Sequence, residues 1–234
     1  MNEKEFTCAI KDLGINITEE QLKKLDKYYD LLIEKNNVMN LTNITIKEEV
    51  YLKHFYDSLT LSLVIDFNEQ VSLCDVGTGA GFPGIVLKII FPHLKVVLID
   101  SLEKRIKFLN EVIEALGLKD IEVLHVRAEE YAKTNYENFD VVVSRAVAKL
   151  SILNELCLPL VKVNGYFISM KGHANEELEN IERSLKKLNS EIVEIKTFLL
   201  PIEESNRTLI KIKKKQSIDK KYPREFKEIK RKPL

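Results

Sequence analysis

Cysteine is scarce. Cys8, Cys74 and Cys157 are odd in number and far apart, which supports neither a disulfide framework nor a zinc-ligand spacing. Cys74, inside the first expected strand, reads as a small packing residue. Long apolar runs are missing as well: none reaches the roughly 18 residues of a membrane span, and the start, Met1-Asn-Glu-Lys-Glu-Phe6, has no apolar signal-peptide core. A cytoplasmic protein without membrane contact is the expectation. Glycine (8) and proline (6) are few against 45% hydrophobic and 31% charged residues, a balance that argues against extended disorder and lets 234 residues bury a sizeable core. Charge of one sign is absent overall, since the net is zero. That balance hides an asymmetry: Arg207 to Leu234 carries 12 Lys and Arg against 3 Asp and Glu. A basic end of this kind suits a polyanion, and equally a solubilising tail.

The few glycines are concentrated where they matter. Val71-Ser-Leu-Cys-Asp75 reads as a strand, Gly77, Gly79 and Gly81 as a turn, and Phe82-Pro83 as the opening of a helix, with Pro83 in a first turn that needs no N–H from it. Glycines at such a turn permit positive φ and close approach of a ligand to the backbone. Gly79-Ala-Gly-Phe-Pro-Gly84 also satisfies the dinucleotide fingerprint, but Asp75 at the strand end would face an anionic pyrophosphate and suits a cationic ligand better. The form D-x-G-x-G-x-G resembles motif I of the S-adenosylmethionine-dependent methyltransferases.

Before this turn the chain reads as helical. Thr18-Glu-Glu-Gln21 forms a capping box, followed by Leu22, Leu25, Tyr28, Tyr29, Leu32 and Ile33 at helical spacing. Asn36 to Asn40 breaks that pattern, and Thr45 to Glu48 reads as a second capping box opening a helix through His54 to about Val64. Glu69 and Gln70 lead into the first strand. From Val71 on, strands alternate with helices, which predicts a parallel sheet covered on both faces. Further strands are expected over 96–99 (ending at Asp100), 121–126, 139–144, 165–171, 192–198 and 207–212, with helices over 103–116, 150–158 and 176–188. The last two strands are joined by a loop too short for a crossover and should pair antiparallel. The expected architecture is α/β, a Rossmann-like class I methyltransferase plan of seven mostly parallel strands with an antiparallel terminal hairpin. It comprises a helical extension (1–68), a core (69–213) and a basic tail (214–234).

Ligands of open α/β sheets bind beyond the carboxyl ends of the strands, which here carry Asp75, Asp100, Arg127, Arg145 and Lys171. Asp100 is placed to accept from ribose hydroxyls, or to cap the next helix. With His54-Phe-Tyr-Asp-Ser58, Asn40-Leu-Thr42, Asp100 to Arg105, Arg127-Ala-Glu-Glu130, Ser144-Arg-Ala146, Met170-Lys-Gly172 and the glycine turn, the chain resembles the RsmG (GidB) family along nearly its whole length. These are guanine-N(7) methyltransferases of small-subunit ribosomal RNA. The resemblance implies S-adenosyl-L-methionine as cofactor, and 16S rRNA or a precursor of the small subunit as partner of a monomeric enzyme. By the family pattern Gly77 and Phe82 line the methionine end of the cofactor site, with Gly79 and Asp75 in the same motif. Ala128 and Glu129 line the adenine end, and Arg145 stands at the boundary with the substrate. Arg127, Lys171 and Arg207 would complete a basic active face. His54 receives no proton-transfer role. The tail departs from the family, because Tyr222-Pro-Arg224 runs into Glu225-Phe-Lys-Glu228.

The chemistry is consistent with the absence of an evident base: N(7) of guanine carries a free lone pair and needs no deprotonation. Amino methylation usually brings Asn/Asp-Pro-Pro-aromatic where Ser144-Arg-Ala-Val147 stands, and carbon-5 methylation of cytosine needs a cysteine nucleophile, whereas Cys157 falls in an expected helix. Two alternatives stay open: a ribosome-binding factor that keeps the cofactor fold without turnover, and methylation of a protein or small molecule.

Overall fold

The expected strands form, as β1 (Ser72–Val76), β2 (Lys95–Asp100), β3 (Ile121–His125), β4 (Phe139–Arg145), β5 (Val161–Lys171), β6 (Ser190–Leu199) and β7 (Asn206–Lys214). The computed structural model describes residues 1–69, 71–172, 174–179 and 181–234; Gln70, expected to lead into β1, lies outside them. The seven strands make one sheet in the order β3-β2-β1-β4-β5-β7-β6. The first five pair parallel, and β7 runs antiparallel to β5 and β6. Reversal of β7 brings its first residues to the edge where β4 and β5 end: Thr208 pairs with Lys171.

Side chains alternate across a strand, and both faces are covered. Leu73, Val141, Val143, Ile168 and Leu209 join one core with the N-terminal helices. Cys74, Val142, Phe167 and Ile210 join the other, which also takes in Ile218, Tyr222, Ile229 and Leu234 from the C-terminal segment. That segment therefore packs as part of the second layer. Within its basic surplus, Lys214 is fully buried, and Arg224 is bonded to buried Glu155 through two nitrogens at 2.8 and 2.6 Å.

The helix Glu19–Met39 starts on the Thr18/Gln21 capping box, and Gln21 Nε2 also donates to the carbonyls of Ile89 and Ile90 at 3.1 and 2.9 Å, closing the end of helix Gly84–Ile90. The capping box expected at Thr45 is not made. Ile46 takes the N-cap position without a side-chain bond, which places Glu48 one residue short of the reciprocal position. The short helix Lys47–Val50 continues as a π-helix over Tyr51–Tyr56, then α over Asp57–Leu59 and 3₁₀ over Thr60–Leu63. Pro83 occupies the N-cap of Gly84–Ile90 rather than its first turn. The charged helix expected over 176–188 is two short pieces, Asn175–Leu178 and Glu182–Lys187. Helix Ala128–Thr134 gave no signal in the sequence, being only seven residues long. β5 begins at Val161 instead of Gly165, a glycine whose absent Cβ would lie 2.7 Å from the carbonyl of Asp140 on β4.

Candidate functional site

The glycine turn crosses the end of β1, where Gly77, Gly79 and Gly81 have φ of +71°, +63° and +100°. Tyr28 Oη donates to the carbonyl of Ala80, tying the turn to the N-terminal layer. Asp75 supports the turn from beneath: its Oδ2 accepts from Thr78 Oγ1 at 2.8 Å and from the backbone N–H of Gly84 at 2.9 Å. The side chain is fully buried and its Oδ1 has no partner, so desolvation raises its pKa to about 6 despite those donors. Asp75 does not line the cleft above. The carboxylate expected to face a cationic ligand instead fixes the loop, because its side chain shares the face of Leu73 and points into that core.

Above the turn lies a cavity of about 380 Å³ lined by Thr42, His54, Gly77, Thr78, Gly79, Phe82, Asp100, Arg105 and Arg145, among others. Asp100 is 3% exposed; its Oδ2 accepts from Gly79 N at 2.9 Å and Arg105 Nη1 at 3.0 Å, and its Oδ1 from Leu102 N at 3.0 Å. Leu102 is the N-cap of helix Glu103–Leu116, so Asp100 shapes the approach to that helix without capping it. A smaller cavity of about 130 Å³ adjoins across Gly77, Asp100, Ser101 and Val147. Its walls include Ile99, Val126, Ala128, Glu129, Leu156 and Phe226.

On the opposite flank is a third cavity, of about 330 Å³, whose walls include Ile44, Asp57, Met170, Lys171 and Arg207. His54, Arg145 and Ala146 line both it and the 380 Å³ cavity. Arg145 thus stands between two chambers. Its guanidinium lies 5.3 Å from the Phe82 ring centroid, donates to Asp57 Oδ2 at 3.1 Å and the Lys53 carbonyl at 3.0 Å, and comes within 3.2 Å of His54 Nδ1. His54 stacks on Phe82 with centroids 4.4 Å apart. Burial and the adjacent Arg145 charge push the imidazole pKa down to about 3, so the ring is neutral. Nδ1 also lies 3.1 Å from the Lys53 carbonyl, and Nε2 lies 2.9 Å from Thr42 Oγ1, so both ring nitrogens are engaged.

Asp57, 4% exposed, also accepts from Arg207 Nε at 2.9 Å on its other oxygen. Lys171 Nζ is bonded to Glu177 at 2.9 and 3.1 Å and to the carbonyl of Ala148. Three of the four expected basic residues, Arg145, Lys171 and Arg207, therefore meet at one chamber. Arg127 does not join them. β3 is three positions from β4 in the sheet, and Arg127 instead bonds Glu129 and lies 4.5 Å from the ring centroid of Phe226, beside Ala128 at the 130 Å³ cavity. The sequence reading gave no role to Asp57 or Phe226. Asp57 stands in the quoted stretch His54 to Ser58, where a carboxylate amid apolar neighbours was the available signal. Phe226 was hidden in a segment read only by its charge, as a basic tail.

Among the described residues no group of three or more His, Cys, Asp or Glu is arranged to hold a metal ion, and no helix is long and apolar enough to cross a membrane.

The profile of the GidB family, rRNA small subunit methyltransferase G, matches residues 21–210. Proteins called ribosomal RNA small subunit methyltransferase G from Bacillus cytotoxicus and Bacillus cereus are each 52% identical over 227 residues, covering 96% of this chain and 95% of theirs. Among solved structures, M. jannaschii TYW2 in complex with AdoMet superposes with a TM-score of 0.56 at 14% identity, covering 74% of this chain and 79% of that one. A SAM dependent methyltransferase from Aquifex aeolicus does so with a TM-score of 0.50 at 19% identity, covering 74% and 96%. These two likenesses concern the class I methyltransferase fold.

Proposed function

Because the chain belongs to the GidB family of rRNA small subunit methyltransferases, we propose that it transfers the methyl group of S-adenosylmethionine to N(7) of a guanine in 16S rRNA, acting as a cytoplasmic monomer. The observation that carries this reading is the place of Arg145, whose side chain is a common wall of the glycine-turn cavity and the basic chamber beside it.

The glycine-turn cleft fits the cofactor. A Cβ on Gly77 would come within 2.5 Å of Val147 Cγ2, whereas one on Gly79 would meet nothing within 4 Å, so the backbone is bare where a ligand must approach closely. Gly77, Gly79 and Phe82 would hold the methionine end, Asp100 the ribose hydroxyls, and Ala128 and Glu129 the adenine. When bound, the cofactor supplies an electrophilic methyl group on a sulfonium centre.

The protein's part is placement. The stack of Phe82 on His54, tilted against Tyr28 at 5.4 Å, gives the cleft a rigid apolar flank at the chamber boundary. Arg145 is locked by four contacts, so its remaining N–H directions are preset for an acceptor in the chamber. Guanine O6 and a backbone phosphate are acceptors of that kind. The target base must leave its stack to enter. Ile44, Ala146 and Met170 provide apolar wall that displaces water, and rate comes from orientation rather than proton transfer. His54 is neutral with both ring nitrogens engaged, and it serves to position Arg145 and Phe82.

Mass spectrometry of 16S rRNA from a deletion strain, with and without the protein restored, tests the reading. A methylguanosine that disappears and returns supports it, and an unchanged rRNA defeats it.

A further inference from the structure

The segment after β7 crosses the second layer of the molecule and returns to the strand ends. Tyr222 and Ile229 are buried in the core on that side. Arg224 clamps Glu155 through Nε, Nη2 and its backbone N–H, at 2.8, 2.6 and 3.0 Å, and Glu225 pairs with Lys133 at 2.6 Å. Glu155 is fully buried in helix Leu150–Cys157, and burial next to the guanidinium makes this clamp costly to open. Next to Glu155 on the same helix, Leu156 lines the 130 Å³ cavity, and two residues beyond Arg224 in the segment, Phe226 lines it too. The clamp thus fixes the ring of Phe226 at the cavity wall. Arg127 stacks on that ring at 4.5 Å and is itself held by Glu129.

We propose that Phe226 is a cofactor-binding residue: the C-terminal segment supplies an aromatic wall of the adenine site, completing a cradle whose other walls come from the ends of β1, β2, β3 and β4 and from helix Leu150–Cys157. The inference rests on the cofactor reading above. An adenine ring needs flat apolar surface with polar groups at its rim. Ile99, Val126, Ala128, Leu156 and Phe226 supply the first, and Asp100 and Glu129 the second. Among the described residues no other aromatic side chain lines this cavity. The basic segment therefore acts on the cofactor, whatever its charges do toward RNA.

Calorimetry with S-adenosylhomocysteine and with methylthioadenosine, which keeps the adenine but lacks the amino-acid end, tests this on the full chain. Loss of a base–aromatic stack should weaken both ligands by about ten-fold in Phe226→Ala, while Phe226→Tyr binds as wild type does. The chain has no tryptophan, so the Phe226→Trp protein carries a single indole, whose fluorescence should change as S-adenosylhomocysteine saturates. If wild type binds neither ligand, the cofactor reading itself fails. If wild type binds and Phe226→Ala binds equally well, the aromatic wall is refuted with the cofactor reading intact. Should Phe226→Ala fail to fold, the indole decides: no spectral change on saturation overturns the proposal.

Discussion

Arg145 on β4 and Arg207 on β7 share a single carboxylate, Asp57, one on each oxygen, at 3.1 and 2.9 Å. The carboxylate comes from the N-terminal layer, so three separate parts of the chain meet at one ion cluster, its carboxylate buried and its two guanidiniums partly exposed. Removing the carboxylate leaves two partly exposed guanidiniums without their partner, which costs about 1 to 3 kcal/mol. Asp57→Ala should destabilise by about that much in chemical denaturation. Asp57→Asn, retaining one acceptor oxygen, should lose less stability yet still impair turnover. Asp57→Ala at wild-type stability would show that the cluster contributes nothing to folding.

Arg145→Ala should lower turnover by about a hundred-fold, because misplacing a reacting partner by an ångström costs that much. S-adenosylhomocysteine affinity should fall far less, since the guanidinium faces Phe82 and the substrate chamber rather than the adenine end. Arg145→Lys should not rescue, as an ammonium cannot span Asp57, His54 and the Lys53 carbonyl together. Equal losses in affinity and rate would place Arg145 in the cofactor site proper.

Much of this was legible in the sequence, and the exceptions have physical causes. Alternating strands and helices announced the sheet, and the short Pro201-containing loop announced its antiparallel hairpin, because these depend on local periodicity and connection length. Arg145 and Lys171 could be placed because strand ends converge, whereas Phe82 and Arg207 entered only through the family resemblance. Asp75 was misplaced because its type was visible while the direction of its side chain was not. The packing of the tail went unseen because charge counts conceal Ile218, Tyr222 and Ile229, whose four- and seven-residue spacing is interrupted by Pro223 and belongs to no continuous helix. Asp57 sits where α-helix, π-helix and 3₁₀ turns succeed one another, so no single period predicts which way it faces.

Gly77 and Gly79 should respond differently to the same substitution. At Gly77 the new Cβ would be 2.5 Å from Val147 Cγ2, in addition to the cost of positive φ; at Gly79 only the backbone cost applies to the free protein. Gly77→Ala should abolish binding of S-adenosylhomocysteine by displacing Val147 across both cavities. Gly79→Ala should cost about 1 kcal/mol of stability and weaken binding only through the methyl group projecting into open cleft. Isothermal titration of both variants beside their melting curves checks the contrast, which fails if the two behave alike.

His54 makes stability depend on pH in a defined direction. Its folded pKa, about 3, is below the free value of 6.5, so the unfolded chain binds the extra proton between these limits and stability falls as pH falls through that window. From pH 7 to 5 the loss is about 2 kcal/mol. Asp75, raised from 3.8 to about 6, acts oppositely and gains stability over part of the same range. Comparing wild type with His54→Gln isolates the first effect, since Asp75 is common to both. The variant should lose about 2 kcal/mol less than wild type between pH 7 and 5, and identical pH profiles would mean that the imidazole is not held neutral.

The basic chamber should show itself in the salt dependence of RNA binding, though less than a count of its charges suggests. Each phosphate neutralised on a single strand contributes roughly −0.7 to the log–log slope of affinity against salt. Arg207 and Lys171 are not free cations: one is bonded to Asp57, the other to Glu177, so a phosphate must compete with a carboxylate already in place. Lys171→Ala and Arg207→Ala should therefore each reduce the slope by well under one unit while leaving S-adenosylhomocysteine affinity unchanged, since neither residue lines the glycine-turn cavity. Glu177→Gln frees Lys171 without removing it and should make the slope steeper, the opposite sign from Lys171→Ala. Filter binding over a range of salt in which the protein stays folded reads both signs. If neither lysine loss nor carboxylate loss moves the slope, the RNA backbone crosses the protein elsewhere.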